Sequence, residues 1–247
     1  MNVTKIEATV KQYGDFIELS DLLILTAIDN NIVEATTLIG SQAGRTLDTI
    51  SREVLAAGTN VQYAEGQVTS RAALTPEMKL TVKAVKKAVR FLKKQNAKKI
   101  NGYYYGIVHP DCSYDLTEDA RWIDAVKYKN PERIYNGEIG EIEGARFVET
   151  TEAKIWAKAG AAKSTSDTTK IDVYGTLIFG ANAYATTKIE GGGLKTIIKQ
   201  LGSAGTGDPL DQRATVGWKA LKVTEILTEA YMIRIETAST FSDGEAN

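Results

Sequence analysis

The sequence predicts an α+β fold built around one long helix. Apolar residues recur every three or four positions between Ile32 and Leu55, which is the period of a helix buried along one stripe. A second amphipathic pattern with a strongly basic polar side ends near Gln95. Short alternating or continuous apolar segments occupy much of the remainder and indicate strands.

Composition limits the class of protein. The 247 residues, 43% of them hydrophobic, can bury one large core or two interleaved smaller ones. The 30 basic and 31 acidic residues nearly cancel, so the overall charge favours neither a nucleic-acid nor a membrane binder. The longest apolar run, residues 22–28, is too short to span a membrane. Cys112 is the single cysteine, which excludes an intrachain disulfide and fits a reducing compartment.

The first element is a ribbon. Residues 2–18 alternate around Gly14-Asp15, which predicts one strand, a turn and the start of another. An exposed ribbon of this kind needs a partner strand. Its candidate contact residues between subunits are Val3, Ile6, Thr9, Val10 and Tyr13.

The long helix is expected over residues 30–57. Its apolar stripe consists of Ile32, Ala35, Ile39, Ala43, Leu47, Ile50 and Val54. Gly40 and Gly44 each weaken a helix by roughly 1 kcal/mol relative to alanine. They therefore indicate either a local bend or a close neighbour.

The basic helix is expected over residues 76–95, because Thr75 suits the cap, Pro76 the first helical position and Glu77 the positive end of the dipole. Its buried stripe is Met78, Val82, Val85, Val89 and Leu92. Residues 79–99 contain nine basic and no acidic residues, so the rest of the chain carries 21 basic against 31 acidic residues, an excess of ten. A basic stripe lies about 100° from the buried one: Lys79, Lys83, Lys86, Arg90 and Lys94.

Three interpretations of the basic stripe stay open. It is a solvated face, a salt-dependent contact for nucleic acid, or a contact for the acidic surface of a neighbouring copy. Aromatic residues do not alternate with the lysines, which disfavours stacking on single strands.

The remaining elements follow in chain order. We expect a buried strand over 100–108, a short helix with Trp122, Ile123 and Val126, and paired strands within 131–150. A disordered tip at 160–170 and a core strand over 173–179 should follow. The last part of the chain should contain an amphipathic helix over 194–201, a loop over 202–213 around Asp208-Pro209, and a final strand over 231–236.

No pattern predicts catalysis. His109 is the only histidine and Cys112 the only cysteine of the chain. A histidine whose ring nitrogens are hydrogen-bonded, beside a half-buried thiol, explains them better than a metal site or a catalytic nucleophile does. Gly191-Gly192-Gly193 lacks a phosphate-binding pattern. The carboxylates from Asp111 to Asp119 complement a helix dipole. We therefore expect no enzyme, no cofactor and no metal.

Several strings resemble the major capsid proteins of tailed bacteriophages, specifically the family typified by the podophage N-four. They occur in the family's order over nearly the whole chain: residues 6–14, 42–48, 108–111 with 114–116, 137–144 with 146–150, 208–213 and 216–219. The resemblance implies the Hong Kong phage-type capsid fold, with a long spine helix and peripheral and axial domains.

The implied division has four parts. Residues 1–20 would be the remnant of an extended loop, 21–110 a peripheral domain holding the spine and basic helices, 111–220 an axial domain, and 221–247 a return to the peripheral domain. The candidate axial loop, which would lie at a capsomer centre, is formed by Asp208, Pro209, Asp211 and Arg213.

The implied function is structural. The chain would form hexamers and pentamers of an icosahedral shell around double-stranded DNA, in the virion capsid and after assembly in the cytoplasm of a bacterial host. Portal, scaffolding or decoration proteins would be partners, and a membrane would not. Because the chain begins at what resembles the second strand of the extended loop, we expect the family's N-terminal arm and first loop strand to be missing.

Two alternatives are kept. A DNA-binding module would use the basic segment 79–99, and an encapsulin-like nanocompartment protein would share the fold. Assembly without DNA would separate a shell subunit from the DNA-binding module.

Reversing Lys83, Lys86 and Arg90 to Glu should leave the monomer folded, because these positions lie off the buried stripe. Circular dichroism checks this expectation. Loss of the helical signal in the triple variant would show that the helix is oriented differently.

Overall fold

The computed structural model describes residues 5–26, 30–123, 140–164, 166–187 and 191–241. The chain forms two units. Unit 1 comprises residues 1–51 and 186–225, and unit 2 comprises residues 52–185 and 226–247. These boundaries differ from the expected ones at 110/111 and 220/221, and the assignment of peripheral and axial domains stays a prediction.

The described chain contains four named helices and twelve strands. In chain order they are β1 (Lys11–Ser20), α1 (Asp21–Thr26), α2 (Asn31–Ala56), β2 (Val61–Tyr63), α3 (Val82–Lys94), β3 (Tyr104–Val108), α4 (Pro110–Thr117), β4 (Glu141–Ile142), β5 (Ala145–Glu149), β6 (Ile155–Trp156), β7 (Val173–Phe179), β8 (Tyr184–Thr186), β9 (Lys195–Lys199), β10 (Arg213–Lys222), β11 (Thr224–Ile226) and β12 (Met232–Thr237).

Unit 1 is a three-stranded antiparallel sheet covered by a helix. The strand order is β1-β10-β9, so β10 is central and the other two strands form the edges. The apolar stripe of α2 packs on the alternate residues of β10 that face it. This core contains Leu19, Ala35, Ile39, Ala43, Ala214, Val216, Trp218 and Ala220. The expected long helix and its buried stripe are thus confirmed.

Two expectations for unit 1 are wrong. Gly14 lies inside β1 opposite Lys219, so no turn interrupts the strand there. A Cβ at Gly14 would lie 2.6 Å from the carbonyl oxygen of Trp218, so the glycine permits close strand pairing. The segment expected as a helix over 194–201 contains the strand β9, whose Ile198 pairs with Val216. Pairing with β10 overrides the helical period of these few apolar residues.

Unit 2 contains a seven-stranded mixed sheet. The order is β2-β12-β7-β3-β5-β4, and β6 also pairs with β7. The core strand β7 is buried along its whole length, as expected. Helices α3 and α4 contribute Val85, Leu92, Cys112 and Leu116 to the core that covers the sheet.

The basic helix begins six residues later than expected. Its first residue is Val82, and Thr81 caps it by accepting a hydrogen bond from the Ala84 amide at 3.2 Å. Before this point the chain is held to the sheet, because the Ala238 amide donates to the Met78 carbonyl and Lys79 forms a bridge with Ala238. Tertiary pairing therefore overrides the start signal at Thr75-Pro76, and Lys79 lies outside the helix.

The neighbouring elements differ from expectation in their bounds. The strand expected from 100 begins at Tyr104, because Asn101 and Gly102 adopt positive φ angles and form a turn. The carboxylates from Asp111 to Asp119 predicted a helix start, but not a separate helix: α4 begins at Pro110, which also ends the preceding strand, and has Asp111 in its first turn. Residues 120–123 are helical, with Trp122 buried, whereas Val126 lies outside the described residues.

Two loops of unit 2 have defined geometry. The paired strands β4 and β5 are confirmed and joined by Glu143 and Gly144, both with positive φ, as a two-residue hairpin requires. The tip expected to be disordered at 160–170 is instead closed by backbone pairing of Ala162 with Lys170 and by a bond from the Lys163 amide to the Thr169 carbonyl.

A buried carboxylate connects several parts of unit 2. Glu236 in β12 has no exposed side-chain surface, and Arg71 donates two hydrogen bonds to it at 2.7 and 2.8 Å. Arg234 donates a third at 2.8 Å and also donates to the carbonyls of Ala56 and Gly58. The network therefore joins the end of α2 to the sheet.

Replacing Glu236 with Gln should lower the free energy of unfolding by about 3–5 kcal/mol, because it leaves two arginines without their buried counter-charge. Glu143→Gln, which removes a surface pair with Lys86 at 3.2 Å, is the matched control and should cost under about 1 kcal/mol. Urea unfolding measures both. Equal, small losses in the two variants would contradict the importance of the buried network.

Candidate interaction surfaces

The basic stripe divides into a paired and an unpaired part. Lys83 Nζ lies 2.5 Å from Glu65 Oε2, and this hydrogen bond lowers the pKa of the Glu65 carboxyl. Lys86 Nζ lies 3.2 Å from Glu143 Oε1 in the hairpin turn. The first half of α3 is therefore partly neutralised by carboxylates of its own chain.

The second half of α3 keeps its charge free. Arg90 and Lys94 are exposed, and so is Lys93 beside them. Within the described part of the chain none of the three forms an ion pair. Lys98 and Lys99 follow directly and are exposed, with Lys99 5.6 Å from the ring centroid of Tyr104. The free positive charge is therefore concentrated at the carboxyl end of α3.

The ribbon residues have different environments. Residues 5–10 are extended and exposed, so Ile6, Thr9 and Val10 are accessible. No backbone hydrogen bond joins this segment to any other described residue. Tyr13 lies in β1 and packs against the unit 1 core, whereas Val3 lies outside the described residues.

Unit 1 exposes an unusual share of apolar side chains. Of the eighteen large apolar side chains exposed in the described chain, thirteen belong to unit 1, although unit 2 is the larger. Leu25 of α1 is 78% exposed, Leu22 67% and Val33 of α2 61%. Exposed apolar surface marks contact sites in soluble proteins where it is contiguous. The apolar run at 22–28 is visible in the sequence, but its pattern did not predict that Leu22 and Leu25 would be exposed.

The loop at 202–213 joins β9 to β10 and makes contacts within itself and with β1. Asp208 is buried, and its Oδ2 accepts a hydrogen bond from the Arg213 amide at 2.7 Å. Pro209 and Asp211 are exposed, and Arg213 Nε lies 3.7 Å from Glu18 Oε1 of β1. This loop belongs to unit 1, and its position at a capsomer centre stays a prediction.

The residues with potential chemistry have structural roles. The Nδ1 atom of His109 accepts a hydrogen bond from the Asp111 amide at 3.2 Å and caps α4. Cys112 is fully buried, and this burial raises the pKa of its thiol and disfavours the nucleophilic thiolate. Among the described residues no group of three His, Cys, Asp or Glu side chains could hold a metal ion.

A family model described as "Phage capsid protein" matches residues 30–201. Among curated proteins none matches the chain. The described helices include none long and apolar enough to cross a membrane.

Solved structures share the fold at low sequence identity. The capsid of Ralstonia phage GP4 aligns with a TM-score of 0.69 and 14% identity over 97% of this chain and 76% of that one. The capsid of cyanophage P-SCSP1u gives 0.67 and 14% over 97% and 78%. An encapsulin complex from Synechococcus elongatus gives 0.57 and 9% over 96% and 78%. These likenesses confirm the expected Hong Kong phage-type capsid fold.

Proposed function

Because the chain belongs to the phage capsid protein family and is a structural subunit of a virion capsid, we propose that it assembles into hexamers and pentamers of a closed icosahedral shell around double-stranded DNA. The observation that carries the proposal is the exposed apolar surface of unit 1. Its side chains would be buried between copies, since symmetric self-association is the commonest way for a soluble protein to cover such a surface.

The encapsulin-like alternative has less support. The encapsulin complex has a lower TM-score and identity than the two phage capsids. The family match over residues 30–201 also favours a phage origin. Assembly in the cytoplasm of a bacterial host, and contact with portal, scaffolding or decoration proteins, belong to the proposal as consequences of a phage shell.

The alternative of an independent DNA-binding module is weakened by the ion pairs of α3. Lys83 and Lys86, two of the five stripe residues, face carboxylates of their own chain, and Lys79 lies outside the helix. Among the described residues, Arg90 and Lys94 are the stripe residues on the helix that lack an ion pair. We therefore assign packaged DNA a weak, sequence-independent contact with this end of α3.

The purified chain should form capsomers or shells without DNA, and light scattering with negative-stain electron microscopy detects them. Leu22→Glu with Leu25→Glu should raise the protein concentration required for assembly about tenfold or more. Burying one leucine is worth about 1.5–3 kcal/mol, and a carboxylate at the contact forfeits that gain.

Val148→Glu is the control on unit 2, since Val148 is 52% exposed and receives one carboxylate of the same kind. It should assemble like the unaltered chain. A small species that grows only when duplex DNA is added, and dissociates with salt, would support the DNA-binding module in place of the shell subunit.

Arg90→Gln with Lys94→Gln should weaken duplex binding and reduce the slope of log affinity against log salt by about 0.9 for each phosphate that is no longer neutralised. Lys83→Gln with Lys86→Gln is the matched pair from the same stripe and should change the slope less, because Glu65 and Glu143 already neutralise those lysines. Fluorescence anisotropy with a labelled duplex measures both. Equal effects of the two pairs would refute the division of the stripe.

A further inference from the structure

One edge of the three-stranded sheet of unit 1 is formed by β9, the most exposed strand of that sheet. All five residues of β9 are exposed, and β9 pairs only with β10 among the described residues. Its outward N–H and C=O groups lack partners within the described chain. An edge of this kind is a template for an added strand.

The same unit carries a segment suited to that edge. Residues 5–10 are extended, exposed and without a backbone partner in the described chain. Lys5 and Glu7 form an ion pair, which places side chains two positions apart on one face, as in a strand. Ile6, Ala8 and Val10 then share the opposite face.

We propose that residues 6–10 of one subunit add to β9 of a second copy as an antiparallel strand. The inference rests on the proposed self-assembly and names one of its contacts. Setting Ala8 opposite Ile198 aligns the segment with residues 196–200 and places Glu7 opposite Lys199.

This register satisfies both faces of the sheet. Ile198 lies on the core face, since its partner Val216 belongs to the unit 1 core. The segment's apolar face would extend that core past the exposed Ile198. On the other face Lys199 gains a carboxylate. Among the described residues of its own sheet, Lys199 has no such carboxylate beside it. There the carboxylate of Glu18 is separated from Lys199 by the strand that contains Thr215, a distance of roughly 10 Å, and Glu18 lies beside Arg213.

Charge disfavours the other pairings that two free edges allow. Two β9 strands paired antiparallel about Ile197 would set Lys195 of one copy opposite Lys199 of the other, and like charges directly opposite are destabilising. The β1 edge carries Asp15 on one face and Glu18 on the other, so a strand added there with Glu7 opposite either residue would set like charges together. The contact is confined to residues 6–10, because the same register continued by one residue would set Lys11, the first residue of β1, opposite Lys195. Within these bounds the basic residue Lys199 of β9 is the complement of Glu7.

Disulfide trapping tests the register. Ala8→Cys protein is mixed with Ile198→Cys protein under mild oxidation and the crosslinked dimer is measured by non-reducing electrophoresis. Directly opposed residues have Cα atoms roughly 4.5–5.5 Å apart, within the range for a disulfide. We expect the Ala8→Cys and Ile198→Cys pair to crosslink several-fold faster than the control pair Ala8→Cys and Thr196→Cys, because diagonal neighbours are roughly 7–8 Å apart.

The native thiol does not interfere, since Cys112 is fully buried. Mixing each variant with the unaltered chain verifies this. Equal rates for the two pairs, or a dimer formed mainly between two Ala8→Cys chains, would overturn the proposal.

Charge reversal is an independent measurement. Glu7→Lys and Lys199→Glu should each weaken association roughly twofold to fivefold per contact, and their combination in one chain should restore it. Failure of the double variant to recover would contradict the pairing of Glu7 with Lys199.

The outcomes separate the two proposals. Normal particles with no crosslink between Ala8→Cys and Ile198→Cys would refute the strand addition and leave the shell function intact. Absence of particles under all conditions would refute the shell function. The crosslink is then measured on unassembled protein at high concentration, where its absence refutes the strand addition as well.

Discussion

Distant segments of unit 2 meet at a carboxylate with no exposed surface, that of Glu236. Its charge is matched by Arg71 and Arg234, and Arg234 also donates to the last carbonyls of α2. Trp156 lies against both guanidinium groups, at 3.8 and 5.4 Å from the ring centroid. A buried ion pair contributes little net stability compared with apolar packing, but it tolerates few alternative arrangements. Here the loop residue Arg71 and the end of α2 both meet at β12, the second strand of the sheet.

Unit 1 leaves more of its apolar side chains exposed than unit 2 does. Its core consists of alanine, branched aliphatic and tryptophan side chains between α2 and the sheet, and Trp218 donates a hydrogen bond to Gln42 at 2.8 Å. Around this core the edges β1 and β9 and the apolar face of α1 remain exposed. A subunit that is completed by its neighbours needs such surfaces. Unit 2 covers its core with α3 and α4, whereas the exposed surfaces of unit 1 are those that the proposed assembly would bury.

The basic helix shows how tertiary contacts divide a charge pattern that is uniform in sequence. Glu65 follows β2 and Glu143 lies in the β4–β5 turn, far apart in the chain. Both approach the first half of α3 and neutralise Lys83 and Lys86. The second half has no such neighbour within the described residues. Local charge, and with it the capacity to attract a polyanion, is therefore set by which loops fold back onto the helix.

The hydrogen bond of His109 and the burial of Cys112 argue against a catalytic role for these two residues more strongly than the composition of the sequence does. His109 caps α4, and Cys112 is sealed in the core against Thr237 at 3.7 Å. Nearby, Asp115 is buried and accepts hydrogen bonds from Ser239 and Thr240, which holds the end of β12 to α4. These polar groups are occupied by structural hydrogen bonds.

Local patterns along the chain were enough to predict the long helix, the buried stripe of the basic helix, the core strand β7 and the β4–β5 hairpin, because periodicity and turn residues act locally. The matched strings also predicted the capsid family. Tertiary contacts, in contrast, make 195–199 a strand, start the basic helix at Val82 and continue β1 through Gly14. In each case pairing with a segment distant in sequence outweighs a local preference worth about 1 kcal/mol or less per residue. The exposed faces of unit 1 could not be predicted for the same reason, since an apolar side chain looks the same in sequence whether its own chain covers it or a second copy must.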